Sequence, residues 1–522
     1  MSAEDDKRDD KLPVTVWVED PVDGFVPGEI VNYATRSAGD SYEVGILSKS
    51  QQKGASKLLR GKSLASSRSS KAYIETRVFA NEAALRGRSD KNEESHFEDC
   101  ASVASFSDAG ILENCRLRYF QDEIYTYTAS VLFSINPYKK LDHLYSNERQ
   151  SDYLNLASLQ SRPPHAFALA EIARRKLVHG RTHQAIVISG ESGAGKTENA
   201  KVVMAYLIQQ SRTRAKVAEN GAAAASVDNM ILRCATPILE SLGNATTVRN
   251  HNSSRFGKFS MLMFNARGDI VGGEIRTYLL ESSRVSKFGA GERTYHIWYE
   301  ILCGASAEQL TKLGLQKNSK YALLYGRDQV TQKSTPLRGA EEATNFTAFC
   351  TGLKVMNFSP EQIEEVLETL GGLIHLFELD FEDAASGQGI QVVESPHVAE
   401  AARLLGMSVN SLCESLCKKT LIRPKRNNQG RDSVFKTDRT PAQAKNAQEA
   451  LVKMLYKRLF EHIVAQINSS LLVAGQTQNL AESSRRQIHR NLGHLRLRTI
   501  ETQFLRTAVH QPGERATTGV FL

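Results

Sequence analysis

An α/β fold with a central, mainly parallel sheet and flanking helices is what this sequence predicts, and three patterns carry it. Ala185 to Ser189 is an apolar run of strand length, broken sharply at Gly190. A helical pattern follows over residues 196–210, so strand and helix alternate as they do in parallel βαβ units. Segments with Leu and Ala at helical spacing, 228–242, 295–303, 356–380, 396–418 and 441–471, supply the covering helices.

The other elements follow in chain order. Residues 1–12 are polar and predict a disordered start. Residues 13–31 alternate apolar and polar around turn signals, which predicts a β-hairpin of a small barrel with Trp17 and Phe25 as core anchors. Tyr73 to Val78 adds a strand. Residues 110–120 predict a helix, and Ile124 to Ile135 a β-rich run stopped at Asn136-Pro137-Tyr138, because proline ends the regular pattern. Residues 163–180 read as a helix after Pro163-Pro164, and residues 211–226 as a surface loop. No internal repeat is visible.

Composition excludes several classes. With 41% apolar and 24% charged residues, 35 Gly and 13 Pro, the chain is neither collagen-like, a disulfide scaffold nor wholly disordered. No window approaches ~18 consecutive apolar residues, so no membrane span is predicted. The start Met1-Ser2-Ala3-Glu4-Asp5-Asp6 is acidic, unlike a secretory signal. Cys100, Cys115, Cys234, Cys303, Cys350, Cys413 and Cys417 are scattered and odd in number, which predicts a reducing, cytoplasmic setting. The i,i+4 pair Cys413 and Cys417 reads as one helix face rather than half a metal site.

The net charge of +8 is local. Residues 49–71 carry +7, and residues 485–522 carry seven Arg against Glu501 and Glu514, which leaves the remainder at −4. The segment 48–71 is Ser- and Lys-rich and reads as a solvated insertion in the first domain, with polyanion binding as the alternative. Nucleic acid is not the predicted partner.

Gly190-Glu191-Ser192-Gly193-Ala194-Gly195-Lys196-Thr197 fits Gly-x-x-x-x-Gly-Lys-[Ser/Thr], between a strand and a helix. Glycines let backbone N–H groups curl around phosphates, and the helix N-terminus adds positive dipole. Lys196 is placed for the β- and γ-phosphates and Thr197 for Mg²⁺, so this loop predicts a nucleoside triphosphate site. By itself the loop does not choose among kinases, GTPases and motors. Asn250-His251-Asn252-Ser253-Ser254-Arg255-Phe256-Gly257-Lys258 adds a second hydroxyl for Mg²⁺, a hydroxyl for the γ-phosphate and a guanidinium in cis.

With these two motifs the chain resembles a myosin motor head, over roughly residues 13 to 487. Gly-Glu-Ser-Gly-Ala-Gly-Lys-Thr-Glu-Asn is similar to the myosin P-loop, and Asn-x-Asn-Ser-Ser-Arg-Phe-Gly-Lys to its switch I. Pro237-Ile238-Leu239-Glu240, Gly243-Asn244-Ala245, Gly273-Glu274-Ile275, Tyr278-Leu279-Leu280-Glu281 and Glu292-Arg293-Thr294-Tyr295-His296-Ile297 extend the likeness. The resemblance implies a P-loop NTPase core over 95–487, including the upper-50K helices, preceded by a small SH3-like β-barrel over 13–80. It implies ATP and Mg²⁺ as cofactors, F-actin as partner, and a place in the cytoskeleton as part of a myosin complex.

Residue by residue, the family implies that Asn136 and Pro137 line the purine site. Tyr145 is the further candidate, after an Asp142-His143 stretch one residue longer than usual. Gly190, Glu191, Ser192, Gly193, Ala194, Gly195, Lys196, Thr197 and Glu198 form the phosphate loop, and Thr197 with Ser254 holds Mg²⁺. Asn250 and Ser253 contact the terminal phosphate and the attacking water, and Arg255 pairs with a glutamate on switch II. Tyr295 and His296 read as packing residues.

The likeness stops after the helix ending near residue 471. Switch II, Asp-x-x-Gly-Phe-Glu after an apolar strand, is absent. In its place stands Ile488-His489-Arg490-Asn491-Leu492-Gly493-His494-Leu495-Arg496-Leu497-Arg498, whose alternating basic residues predict that it forms no buried central strand. The genetic code permits codons for these residues that, read one base later, give Phe-Ile-Gly-Ile-Leu-Asp-Ile-Phe-Gly-Phe-Glu. Phe504 to Arg515 likewise permits Ser-Phe-Glu-Gln-Leu-Cys-Ile-Asn-Leu-Ala-Asn-Glu, similar to the myosin relay helix. One extra base at the Gln487/Ile488 boundary is therefore predicted, making 488–522 a frameshifted, non-native tail. The expectation is a truncated head that binds ATP but cannot close its hydrolysis site. The alternatives are a non-catalytic ATP-binding regulatory fragment and an unrelated P-loop kinase.

Overall fold

The computed structural model describes residues 15–20, 24–36, 39–46, 75–79, 86–87, 96–103, 106–154, 158, 161–180, 182–217, 234–265, 268–327, 337–384, 389–423, 433–471, 493–501 and 518–521. The expectations for 1–12, 48–71 and 218–226 fall outside them. The chain divides into two compact units, residues 1–168 with 519–521, and residues 169–518 with 522.

The first unit opens with β1 (Thr15–Asp20), β2 (Gly24–Arg36), β3 (Gly39–Ile46), β4 (Glu75–Phe79) and β5 (Arg86–Gly87). They form an antiparallel sheet in the order β4-β3-β2-β1-β5. Its core is Val16, Val18, Val44 and Ile46, with Val26 packed against it. Trp17 is buried as expected, whereas Phe25 is only half-buried. Helix α1 (Asp108–Tyr119) starts at Ser107, whose hydroxyl accepts from Gly110 N, as N-cap serines do. The hairpin β6 (Tyr125–Thr128) and β7 (Val131–Ser134) follows. Its turn puts Ala129 at φ +55°, and the Asp99 carboxylate accepts from Ala129 N at 3.1 Å.

Helix α2 (Ala166–Gly180) leads to β8 (Gln184–Gly190), which runs into the glycine loop and α3 (Lys196–Val217). Residues 211–217 thus belong to a helix, correcting the expected loop. Lys, Arg and Ala there favour helix, and the Ser211 hydroxyl accepts from Ile270 N at 3.0 Å, which ties this turn to a strand. Next come α4 (Thr236–Gly243), β9 (Asn244–Ala245), β10 (Ser253–Ser254), β11 (Gly257–Phe264) and β12 (Ile270–Tyr278). Helices α5 (His296–Gly304), α6 (Ala340–Val355), α7 (Pro360–Glu378), α8 (Pro396–Leu404), α9 (Val409–Cys417) and α10 (Pro441–Leu471) follow. The helix expected over 396–418 is two helices. Gly406 at φ +67° ends α8, and Ser408 caps α9. Cys413 and Cys417 both lie on α9, and no cluster of metal-ligating residues occurs among the described residues.

In this unit the sheet runs β12-β11-β13-β8, with β13 at Gly493–Glu501. β11 is antiparallel to β12 and to β13, and β13 is parallel to β8. The expected mainly parallel sheet is corrected to a mixed one. β11 and β12 are joined through the Asn265–Asp269 turn, and so short a link permits only antiparallel pairing. The expectation that the basic segment forms no central strand differs from the backbone pairing, since Gly493–Glu501 lies between β11 and β8. Its backbone pairs Lys258 with Thr499 on one side and Gly190 with Glu501 on the other. Without it β11 and β8 would each leave N–H and C=O groups unpaired between them, and an extended segment completing both ladders is favoured by backbone bonding alone.

Helix α10 braces β12. The Asn468 side chain accepts from Ile275 N and donates to Ile275 O, both at 2.7 Å, closing part of the exposed strand edge. Tyr456 on the same helix donates to Leu242 O at 2.6 Å and stacks on Tyr295 at 5.0 Å. No helix among the described residues is long and apolar enough to cross a membrane.

Candidate functional site

Gly190 ends β8, and the chain then turns through two residues of left-handed backbone, Gly193 (φ +84°) and Gly195 (φ +92°). Only glycine adopts such angles without strain, so the motif's spacing serves the curl of the loop. Lys196 opens α3, is buried, and donates from Nζ to Gly190 O and Glu191 O at 2.8 Å each. Its ammonium therefore lies across the loop at a helix N-terminus, where backbone N–H groups and the helix dipole favour an anion. Thr197 is half-buried. Glu198 is exposed and ion-pairs with Lys201, which also pairs with Glu240. Glu191 faces Arg249 at 3.7 Å.

Residues 244–256 meet this loop. β9 and β10 pair Ser253 with Ala245 and Ser254 with Asn244. The Ser253 hydroxyl is buried and lies 2.8 Å from the Ser192 hydroxyl. Asn250 closes a turn on Thr247, and a methyl on Gly193 would stand 3.7 Å from Asn250 Cβ, so the two segments adjoin. Asn250 Oδ1 accepts from Asn252 N, and Ser254 Oγ donates to Phe256 O. Arg255 donates from Nη1 to Ser253 Oγ at 3.2 Å.

Arg255 Nε donates to Glu281 Oε2 at 2.5 Å. The carboxylate comes from the turn after β12, where Glu281 also meets Arg284 at 2.8 Å. Burial alone would push the Glu281 carboxyl up, but the two guanidiniums hold it below its ordinary range.

Two neighbours act beyond packing. Tyr295 is buried and donates to Glu281 O at 2.8 Å. His296 Nε2 meets Asn252 Oδ1 at 3.2 Å, an oxygen that also accepts from Asn244 Nδ2, so the ring carries its proton on Nε2. Burial, with Arg293 and Arg338 nearby, pushes His296 down to about 4 and keeps it neutral. The neutral ring thus holds the turn that carries Ser253.

Asn136, Pro137 and Tyr145 belong to the first unit. Asn136 Oδ1 accepts from Tyr138 N at 3.0 Å, and the Tyr119 hydroxyl donates to Pro137 O at 3.3 Å. Tyr145 meets the Tyr125 hydroxyl at 3.2 Å and sets its ring edge against His165. Burial and Arg149 push His165 down to about 3.

The family sequence model described as Myosin head (motor domain) matches residues 97–481. The chain is 34% identical over 462 residues to Myosin-6 of Arabidopsis thaliana, covering 87% of this chain and 27% of that protein. It is 33% identical over 479 residues to Unconventional myosin-VI of Homo sapiens, covering 87% and 34%. The chain thus spans about a third or less of the length of these curated relatives.

Proposed function

Because this chain belongs to the myosin head family, whose core is a P-loop NTPase fold, we propose that it binds ATP with Mg²⁺ as the nucleotide-handling part of an actin-based motor. The contact between Ser192 and Ser253 carries this reading, because it joins the glycine loop to the segment that resembles switch I.

The residues fit the group. Gly190 through Gly195 supply backbone donors, Lys196 supplies charge, and Thr197 and Ser254 supply the hydroxyl oxygens Mg²⁺ accepts. Bound MgATP brings the phosphoanhydride chemistry. Asn250 and Ser253 orient the water side of the site, and Arg255 offsets charge there. Asn136, Pro137 and Tyr145 are proposed for the purine, with Glu191, Ser192, Ala194 and Glu198 shaping the loop. F-actin is the proposed partner of the whole motor and the cytoskeleton its location. Residues 13–80 are proposed as an SH3-like barrel.

Residues 488–522 are proposed to be read out of frame. The codon match supports this, as does a family match that ends at residue 481, before the basic segment.

Hydrogen exchange of the full chain with and without MgATP tests the site. Slowed exchange at 190–197 and 250–255 supports it. Unchanged exchange in both segments contradicts it.

A further inference from the structure

Glu281 lies outside both nucleotide motifs, yet it is fixed from several directions. Leu279 at φ +55° turns the chain sharply after β12 and delivers Glu281 toward Arg255. Glu281 N donates to Arg255 O at 2.9 Å, and Tyr295 donates to Glu281 O at 2.8 Å, so backbone contacts set its place. Arg284, itself held by Glu292 at 3.0 Å, takes part of the carboxylate and leaves Oε2 shared with Arg255 Nε.

We infer that Glu281 is a positioning residue for the terminal-phosphate side of the site, acting through Arg255 on the Ser253 hydroxyl. The inference rests on the nucleotide reading above. A guanidinium only donates, so Ser253 Oγ accepts from Arg255 Nη1, and the same hydroxyl shares a hydrogen bond with Ser192 Oγ. The carboxylate fixes the guanidinium, the guanidinium holds the serine oxygen, and the serine meets the loop. Glu281 therefore bears on a third phosphate without touching the ligand. A diphosphate, which ends before that point, is indifferent to it.

The test measures the affinities of the full chain for Mg-ADP and for Mg with the slowly hydrolysed analogue ATPγS. Wild type, Glu281→Gln, Glu281→Asp and Arg255→Ala are compared, together with the Glu281→Gln/Arg255→Ala double variant. Glu281→Gln, which keeps the side chain's shape, is expected to lower the triphosphate-to-diphosphate preference about tenfold while leaving ADP affinity unchanged. Glu281→Asp is expected to recover part of the preference, and Glu281→Gln is expected to add nothing once Arg255 is alanine. Equal loss for both nucleotides, an unchanged preference, or full additivity with Arg255→Ala would overturn the inference. A wild-type chain that binds neither nucleotide overturns the site reading itself, a result distinct from a failure of Glu281 alone.

Discussion

The Ser192 hydroxyl of the glycine loop lies 2.8 Å from the Ser253 hydroxyl of switch I, joining segments 61 residues apart in sequence. Ser253 is buried, so its hydroxyl depends on protein partners, and it has them in Ser192 and Arg255. Ser253→Ala is expected to cost about 1 kcal/mol of stability, and a double-mutant cycle with Ser192→Ala to show coupling of about 0.5 kcal/mol or more. Urea unfolding reads both. Strict additivity would mean that the two hydroxyls do not interact.

Gly243 ends α4 beneath Phe256. A Cβ at Gly243 would lie 2.3 Å from Phe256 Cε1, and Phe256 is itself packed edge-on against Phe460 at 5.4 Å. Gly243→Ala is expected to destabilise the chain by about 1–3 kcal/mol through overpacking. Adding Phe256→Leu should recover part of that loss. Thermal melting checks it, and an unshifted midpoint for Gly243→Ala contradicts the packing described.

Glu300 on α5 is buried, and its Oε2 has no hydrogen-bond partner among the described residues. Burial raises its pKa from 4.5 to about 8, partly offset by the Ser241 hydroxyl. Between those values the folded state keeps a proton that the unfolded state releases. Stability is therefore fully present below pH 4.5 and lost as the pH rises through 8. Glu300→Gln, a neutral stand-in, is expected to match wild type near pH 4.5 and to exceed it by about 1 kcal/mol or more at pH 8. Denaturant midpoints across that range give the answer, and parallel pH curves would refute the assignment.

Much of the site is legible because its chemistry is local in sequence. Gly193 and Gly195 announce left-handed backbone, and Lys196 and Thr197 follow them on a helix start. The partner of Arg255 is not legible in that way. Glu281 lies 26 residues on, and only the folding of β11 and β12 into a hairpin brings it back. The structural work of His296 is hidden for the same reason, since its partner Asn252 is 44 residues away. In the fold, helices with clear apolar periodicity such as α7 and α10 are readable. Helix α6 carries Thr, Phe and Gly with little periodicity, and tertiary packing of Phe349 and Leu353 holds it instead. Strand β13 is misread because side-chain polarity argues against an inner position that the backbone ladders of β8 and β11 favour.

The frame proposal makes a prediction about nucleic acid. Sequencing the transcript across the codons for Arg485 to Arg498 is expected to show one base fewer than the present frame requires. Codons that, read one base later, do not give Phe-Ile-Gly-Ile-Leu-Asp-Ile-Phe-Gly-Phe-Glu contradict the proposal, whereas the extra base present in the mature message leaves an ATP-binding head at most.

The central claim is that residues 190–197, with Lys196 at their end, hold the phosphates of ATP. Isothermal titration of the full chain with MgATP tests it most directly, alongside Lys196→Ala. The account predicts saturable binding at one site per chain and at least about a hundredfold weaker binding for the variant, since a buried charge-assisted contact to phosphate is lost. Equal affinity of wild type and Lys196→Ala, or no heat of binding from the wild type, would contradict it.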